Sequence, residues 1–349
     1  MLEAVKRNKP KVRMWKMSKL LVIDEASMMS KALFELLKFI ARKIRGNEEP
    51  FGGIQLCLCG DFFQLPPVNK SGGDDGRFCF ESPLWSTCVQ QSIELATVYR
   101  QHDESLLTLL GEVRYNDCSQ SSIDLLSKLN RPIVTRHGFE ATKLFPTNHA
   151  VDRVNAERLV ALPGEKIPYK ALDYPNHFDV ISELNRLTMY PEFLELKKGA
   201  QVMKLNNSGD LVNGSRGVVE NWLVYGKKPH QKWPIVRWHN GSRGPVIPEE
   251  IKKDTPGGAG VEIKRKQLPL KMAWAITIHK AQGMSIDLLE VDLARVFEKG
   301  QAYVALSRAR TIEGLRICSF EPARFWTDSR VVEFYKRSVR PVEAVLDEL

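Results

Sequence analysis

The sequence predicts an α/β protein built on parallel sheets, with a small β-barrel inserted in its second half, and three observations carry that prediction. Residues 20–24 (LLVID) and 54–59 (IQLCLC) are short apolar runs leading into acids, as parallel strands covered on both faces do. Residues 30–45 between them (SKALFELLKFIARKIR) repeat apolar side chains at helical spacing, so strand, helix and strand make one crossover unit. Between residues 196 and 267 the texture changes to closely spaced short β runs.

In chain order, residues 1–19 hold seven basic residues and one acid, with Pro10 interrupting them. Such a start fits a targeting segment or a surface helix. Because it runs straight into the first strand, a surface helix and connector belonging to the domain is the expectation. The helix over 30–45 opens on a serine cap and sets Leu33, Leu36, Leu37, Ile40 and Ile44 on one stripe. The second strand ends at GDFFQLPPV, which puts Asp24, Glu25 and Asp61 at strand carboxyl ends, where open α/β sheets bind ligands. Residues 69–78 (NKSGGDDGRF) read as a surface loop, 93–116 as a strand-like run into a helix, and 143–146 as a third strand before a helix carrying Val151, Val154 and Leu159. The insert comprises AQVMKL, RGVVENWLV, WPIVRW, GPVI and VEIKRKQL, with Asn213-Gly214 as a hairpin turn signal. From residue 270 the α/β texture returns, a last helix begins near Ser329, and a mixed-charge tail follows.

Composition bounds the function classes. At 349 residues, with 43% hydrophobic and 27% charged residues, the chain is a folded protein with room for two or three domains. A net charge of +9 permits polyanionic partners without requiring them. Cys57, Cys59, Cys79, Cys88, Cys118 and Cys318 form no C-x-x-C pair, which argues against a zinc site and a disulfide framework. Reduced, packed thiols are expected, with Cys57 and Cys59 acting as small hydrophobes on one face of a buried strand. No apolar run approaches the ~18 to 20 residues that span a bilayer, so a transmembrane role is excluded.

The acids carry the chemistry. Asp24 and Glu25 close an apolar strand, and a carboxylate there holds Mg²⁺ while its neighbour orients an attacking water, the division of labour that phosphoryl transfer needs. Gln64, three residues beyond Asp61, supplies an amide that bonds both a γ-phosphate oxygen and that water; an exposed loop amide is the plain alternative. Arg100 and Arg308 form a candidate charge clamp on the transferring phosphate, delivered from a separate body, against the alternative of surface ion pairs. His279, Lys280 and Gln282 cluster before Gly283, where a basic-polar group tracks a nucleic-acid backbone or is simply solvated.

Seven blocks together resemble the Pif-type (petite integration frequency) DNA helicases of superfamily 1B, relatives of RecD. They are LLVIDEASMM, PFGGIQLCLCGDFFQLPPV, ELATVYRQHDESLLTLLGEVR, LFPTNHAVDRVNAERL, LKKGAQVMKLNNSGDLVNGSRGVV, LPLKMAWAITIHKAQGMSID and GQAYVALSRAR, in family order. A RecD-like subunit or a conjugative relaxase-helicase shares the architecture, but FGGIQL-x₃-GDFFQLPPV fits the Pif type better. The resemblance implies two RecA-like motor domains with a small β-barrel insert in the second. It implies breaks at 1–98 for the first motor domain, 99–195 and 268–335 for the second, 196–267 for the insert and 336–349 for a tail. It also implies 5′-to-3′ movement on single-stranded DNA, opening of junctions or quadruplexes as ATP is hydrolysed, and work in repair, recombination and telomere maintenance. Asp24 becomes the Mg²⁺ ligand, Glu25 the base and Gln64 the γ-phosphate sensor, with Arg100 and Arg308 as arginine fingers and Gly283 beside the nucleotide. Thr147, Asn148, His279 and Lys280 take the DNA side. A monomer in the nucleus or mitochondrion, with no membrane partner, is expected.

One feature departs from the pattern: these residues contain no G-x-x-x-x-G-K-[ST] loop. NKSGGDDGR has the residue types in the wrong order, and YGKKP lacks the first glycine and the final Ser/Thr. Without the loop, the phosphates lose a backbone cradle and the metal loses a hydroxyl ligand. Weak ATP binding, an incomplete first motor domain with an unpaired sheet edge, and either a helicase fragment or a non-catalytic DNA-binding remnant are therefore expected.

Overall fold

In a computed structural model, residues 2–68, 76–134, 138–224, 232–254 and 262–342 are described. Most of the loop expected at 69–78, the GKKP stretch and the end of the tail lie outside them. The chain forms two compact units, Met1–Leu129 with Leu293–Ile312 and Ser319–Leu349, and Asn130–Asp292 with Glu313–Cys318. Their bounds do not coincide with the breaks expected from sequence, because the helix Glu104–Tyr115 packs on the helix Gln301–Leu306 within the first unit.

In the first unit the strands Leu20–Ile23 and Gln55–Leu58 pair in parallel, Leu20 opposite Gln55 and Ile23 opposite Leu58. The helix Lys31–Arg45 joins them; Ser30 Oγ accepts from the Leu33 amide at 3.2 Å, and the helix stops at Gly46 in the left-handed region (φ 62°). Its buried face is Phe34, Lys38, Ile40, Ala41 and Ile44, a rotation from the expected stripe that leaves Leu33 outside. The reason is aromatic. Phe34 packs against Phe51 and Trp85 with ring centroids 5.5 and 5.6 Å away, which commits that side of the helix to the core. Arg45 at the far end donates from Nη1 to the carbonyls of Trp15, Lys16 and Ser18 at 2.8, 2.9 and 3.0 Å, so the basic helix Lys9–Met17 is tied to the domain as a connector.

Leu21, Ile23, Leu56 and Leu58 face that core, whereas the opposite face carries Leu20, Val22, Cys57 and Cys59, all exposed. The expectation of buried Cys57 and Cys59 is therefore corrected: among the described residues that face stands open. Of the six thiols only Cys79 is buried.

In the second unit a four-stranded sheet runs Ala275–Thr277, Thr142–Phe145, Leu289–Asp292, Leu315–Ser319, with the first three strands parallel. The helix Asn148–Ala161 covers it, burying Val151, Asn155 and Leu159. Asn155 donates from Nδ2 to the Ala275 carbonyl and accepts from the Ala275 amide, both at 3.0 Å. The β runs after residue 196 form antiparallel sheets. One has the order Arg243–Pro245, Lys232–Trp238, Arg216–Val224, Gln201–Lys204, Leu270–Met272; another joins Glu249–Asp254, Glu262–Gln267 and Leu172–Tyr174. Asn213-Gly214 does form a turn, with the Ser215 amide donating to the Val212 carbonyl at 2.9 Å and Gly214 at φ 93°, but it lies within a longer connection, not in a two-residue hairpin.

A buried ion pair pins the second of these sheets. Arg265, with no exposed surface, donates to both Asp173 oxygens at 2.7 and 2.6 Å and to Asn185 Oδ1 and the Tyr190 carbonyl at 2.8 Å each. Removing one partner strands the other charge, so Asp173→Ala is expected to lower the unfolding free energy of this unit by about 3–5 kcal/mol in urea denaturation followed at its tryptophans. A loss below about 1 kcal/mol would show that the guanidinium is compensated elsewhere.

Candidate functional site

Asp24, Glu25, Gln64, Arg100 and Arg308 all fall in the first unit, so Arg308 is not delivered from a separate body despite its distance in sequence. Asp24 is exposed at the end of its strand, and its Oδ1 accepts from the Glu25 amide at 2.8 Å. That bond holds Glu25 in the left-handed region (φ 52°, ψ 45°), an uncommon place for a residue with a Cβ, and turns the chain sharply off the strand. Gly60 makes the turn possible from the neighbouring strand, since a Cβ there would lie 2.7 Å from the Ala26 amide nitrogen.

Asp61 organises the loop that follows. Its Oδ1 accepts from the Phe63 amide and Arg114 Nη2 at 3.1 Å each and from the Tyr335 hydroxyl at 3.3 Å, while its carbonyl accepts from the Gln64 amide at 2.9 Å. Arg114 also donates to Glu94 Oε1 at 2.9 Å and stacks over Phe63, its guanidinium carbon 4.3 Å from the ring centre. Burial opposes its charge, but Asp61, then Tyr303 and Glu94, outweigh that and hold Arg114 above the ordinary arginine range. Tyr303, bonded to Asp61 as well, is pushed above the ordinary tyrosine range by burial and then by the Asp61 charge.

Gln64 emerges from this loop with Oε1 buried and no hydrogen-bond partner among the described residues. Natural interiors rarely leave a buried acceptor unmade, and one at a site marks the place of a ligand or water. Gly300 closes the loop from behind: at φ 73° it would place a Cβ 2.4 Å from the Phe63 carbonyl oxygen and 2.7 Å from that of Gln64.

The arginines converge on the end of the helix Gln301–Leu306. Arg100 Nη1 and Gln101 Nε2 donate to the Ser307 carbonyl at 3.3 and 3.0 Å, and Arg308 donates from Nε to Val304 and from Nη2 to Ser307 Oγ at 3.0 and 2.7 Å. Only 1% of Arg308 is exposed, and burial followed by the Arg100 charge pulls it down to about 10, with Tyr303, Glu25 and Asp61 opposing. It stays charged near neutrality beside a second guanidinium, an arrangement that an anion relieves. No group of three or more His, Cys, Asp or Glu among the described residues could hold a metal. Mg²⁺ takes one or two carboxylates and fills its remaining positions with water and phosphate oxygens, and the exposed Asp24 carboxylate is a donor of that kind.

The second unit brings together the other predicted residues. Thr147 occupies the N-cap position of the helix Asn148–Ala161 without a side-chain capping bond, Lys280 Nζ donates to Asn148 Oδ1 at 3.1 Å, and the Lys280 amide donates to Thr277 Oγ1 at 3.3 Å. His279 stands on the same short helix, Ile278–Ala281, and Gly283 follows it at φ 76°.

Sequence reasoning missed Arg114, Tyr303, Tyr335 and Gly300, because their partners are far away in the chain and no local spacing marks them. Arg114 ends the block ELATVYRQHDESLLTLLGEVR, where its position was visible and its partner was not. Arg114→Met is expected to cost about 2–4 kcal/mol of first-unit stability, since it leaves Asp61 half-buried without its cation. The Arg114→Met/Asp61→Asn double variant should lose clearly less than the sum of the two single losses; strict additivity in denaturation would show that the pair does not couple.

The family profile of the PIF1-like helicases matches residues 1–117. The ATP-dependent DNA helicase PIF1 of Xenopus laevis is 42% identical over 341 residues, covering 96% of this chain and 52% of that protein. The chain spans about half the length of the curated relatives it matches. The crystal structure of the Pif1 helicase from Candida albicans superposes with a TM-score of 0.84 at 33% identity, over 96% of this chain and 80% of that one. A Pif1 helicase from Bacteroides in complex with ADP-AlF3 and single-stranded DNA gives 0.68 at 28% identity, over 94% and 77%.

Proposed function

The chain belongs to the PIF1-like helicase family, and we propose that it is the acid-and-arginine part of an ATP-driven motor that moves 5′-to-3′ along single-stranded DNA and opens duplexes, junctions or quadruplexes. One observation carries the reading: a single compact unit holds two strand-end carboxylates, an amide with an unsatisfied buried oxygen and a buried arginine on which the charge of Glu25 acts. The Bacteroides relative, crystallised with ADP-AlF3 and single-stranded DNA, supports it.

When bound, ATP would supply the phosphoryl group and Mg²⁺ would offset its negative charge. Asp24 offers its exposed carboxylate to the ion. Glu25, turned off the strand line, takes a proton at its carboxylate from the attacking water, and Gln64 orients that water through Oε1. Arg100 and Arg308 stabilise the charge that spreads over the transferring group. In the second unit Thr147, Asn148, His279 and Lys280 contact the DNA backbone, and the antiparallel sheets after residue 196 form the small barrel of the motor's second domain. A monomer acting in the nucleus or mitochondrion, in repair, recombination and telomere maintenance, completes the proposal.

The 349 residues carry no G-x-x-x-x-G-K-[ST] loop, and the acids alone give ATP no phosphate cradle. This polypeptide by itself is therefore expected to show DNA-stimulated ATP turnover no higher than its Glu25→Gln variant, and robust hydrolysis abolished by Glu25→Gln would overturn that. Fused behind the loop-bearing segment of a relative, it should hydrolyse ATP, with Arg308→Ala reducing kcat by at least about a hundredfold. Full activity of that variant would remove Arg308 from the chemistry.

A further inference from the structure

We propose that Gln101 is a positioning residue that sets Arg308, and with it the spacing of the two guanidinium groups in the charge clamp. The inference rests on the motor reading above and extends it to a side chain that holds no place in the chemistry itself. Gln101 Nε2 donates to the Ser307 carbonyl at 3.0 Å and to the Ala309 carbonyl at 2.7 Å, so one amide group grips the chain on both sides of residue 308. Gln101, Ser307, Arg308 and Ala309 are all buried.

The helix Gln301–Leu306 ends at this point, and its last carbonyls find donors within their own segment. Tyr303 accepts from the Ser307 amide at 2.9 Å, Val304 from the Ser307 hydroxyl and Arg308 Nε at 3.0 Å each, Ala305 from the Arg308 amide at 3.3 Å and Leu306 from the Ala309 amide at 3.0 Å. The carbonyls of Ser307 and Ala309 lie beyond that pattern, and a buried carbonyl left without a donor is destabilising. A primary amide serves both, because two hydrogens diverge from its one nitrogen. Gln101 follows Arg100 in sequence, and Arg100 Nη1 reaches the same Ser307 carbonyl at 3.3 Å, so both arginines are referenced to a single oxygen. The Arg308 side chain, tied from Nε to Val304 and from Nη2 to Ser307 Oγ, thus departs from backbone that Gln101 holds still. Placement at that precision matters to a transition-state charge, since a shift of about 1 Å in a catalytic group can cost about a hundredfold in rate.

NMR of the ¹³Cζ-arginine-labelled chain reads the position of Arg308 without turnover. In the unsubstituted chain burial and then the Arg100 charge hold Arg308 down at about 10. Released from the Gln101 grip it moves toward water and away from Arg100, so its titration midpoint in the Gln101→Met chain should rise toward the ordinary arginine range. Gln101→Asn keeps the amide but is one methylene short, and should fall between the two; it carries the test if near-UV circular dichroism shows Gln101→Met unfolded. An Arg308 midpoint unchanged in the folded variant overturns the proposal. In the chain fused behind the loop-bearing segment of a relative, Gln101→Met should lower kcat about tenfold and leave the KM for ATP within about twofold, as for an interaction made in the transition state alone. Because Gln101 acts through Arg308, the Gln101→Met/Arg308→Ala double variant should be no slower than Arg308→Ala, and losses that multiply would overturn the proposal. A Gln101→Met enzyme with full kcat overturns this inference only, whereas an Arg308→Ala enzyme with full kcat removes the motor reading of Arg308 and the inference with it.

Discussion

The Asp61 carboxylate is the point on which the first unit's site depends. It accepts from the Phe63 amide, from Arg114 and from Tyr335, so the segment after one strand is fixed at once to the helix Glu104–Tyr115 and to the helix Ser329–Ser338. Each donor alone contributes about 1–3 kcal/mol, but together they define one position for the loop and hence one direction for Gln64. Gly300 bars retreat on the other side, since any larger residue would meet the Phe63 and Gln64 carbonyls.

A site held this stiffly can leave groups unsatisfied. The buried Gln64 oxygen and the close approach of Arg100 and Arg308 are both destabilising, and both are tolerated because packing and the Asp61 network fix the surrounding backbone.

Local pattern made much of this legible. The strand over 20–24, the serine cap at Ser30, the helix near Ser329 and the β texture after residue 196 are set by neighbours within a few residues, and the chain forms them where its sequence says. Asp24, Glu25 and Gln64 could be singled out as candidates because strand ends and the residues just beyond them are adjacent in sequence. What stayed hidden depends on distant partners. Phe34 displaced Leu33 from the buried face because Phe51 and Trp85 await it, and Cys57 and Cys59 alternate correctly as a strand yet face an open side. Arg308 came out in the same unit as Asp24 because the helix Gln301–Leu306 packs on Glu104–Tyr115, a pairing that no periodicity announces.

Asn155 has an effect that reaches beyond its own helix. Ala275 lies on the outermost strand of the four-stranded sheet, and its amide and carbonyl point away from Thr142–Phe145, which leaves two buried backbone groups without a partner in the ladder. The Asn155 amide occupies both groups in the geometry of a neighbouring backbone, standing in for one residue of a strand that is never added. The side chain therefore finishes the hydrogen bonding of a buried strand and locks the helix Asn148–Ala161 in register with it, so one asparagine does the work of a backbone neighbour where Ala275, Ile276 and Thr277 are closed off from water.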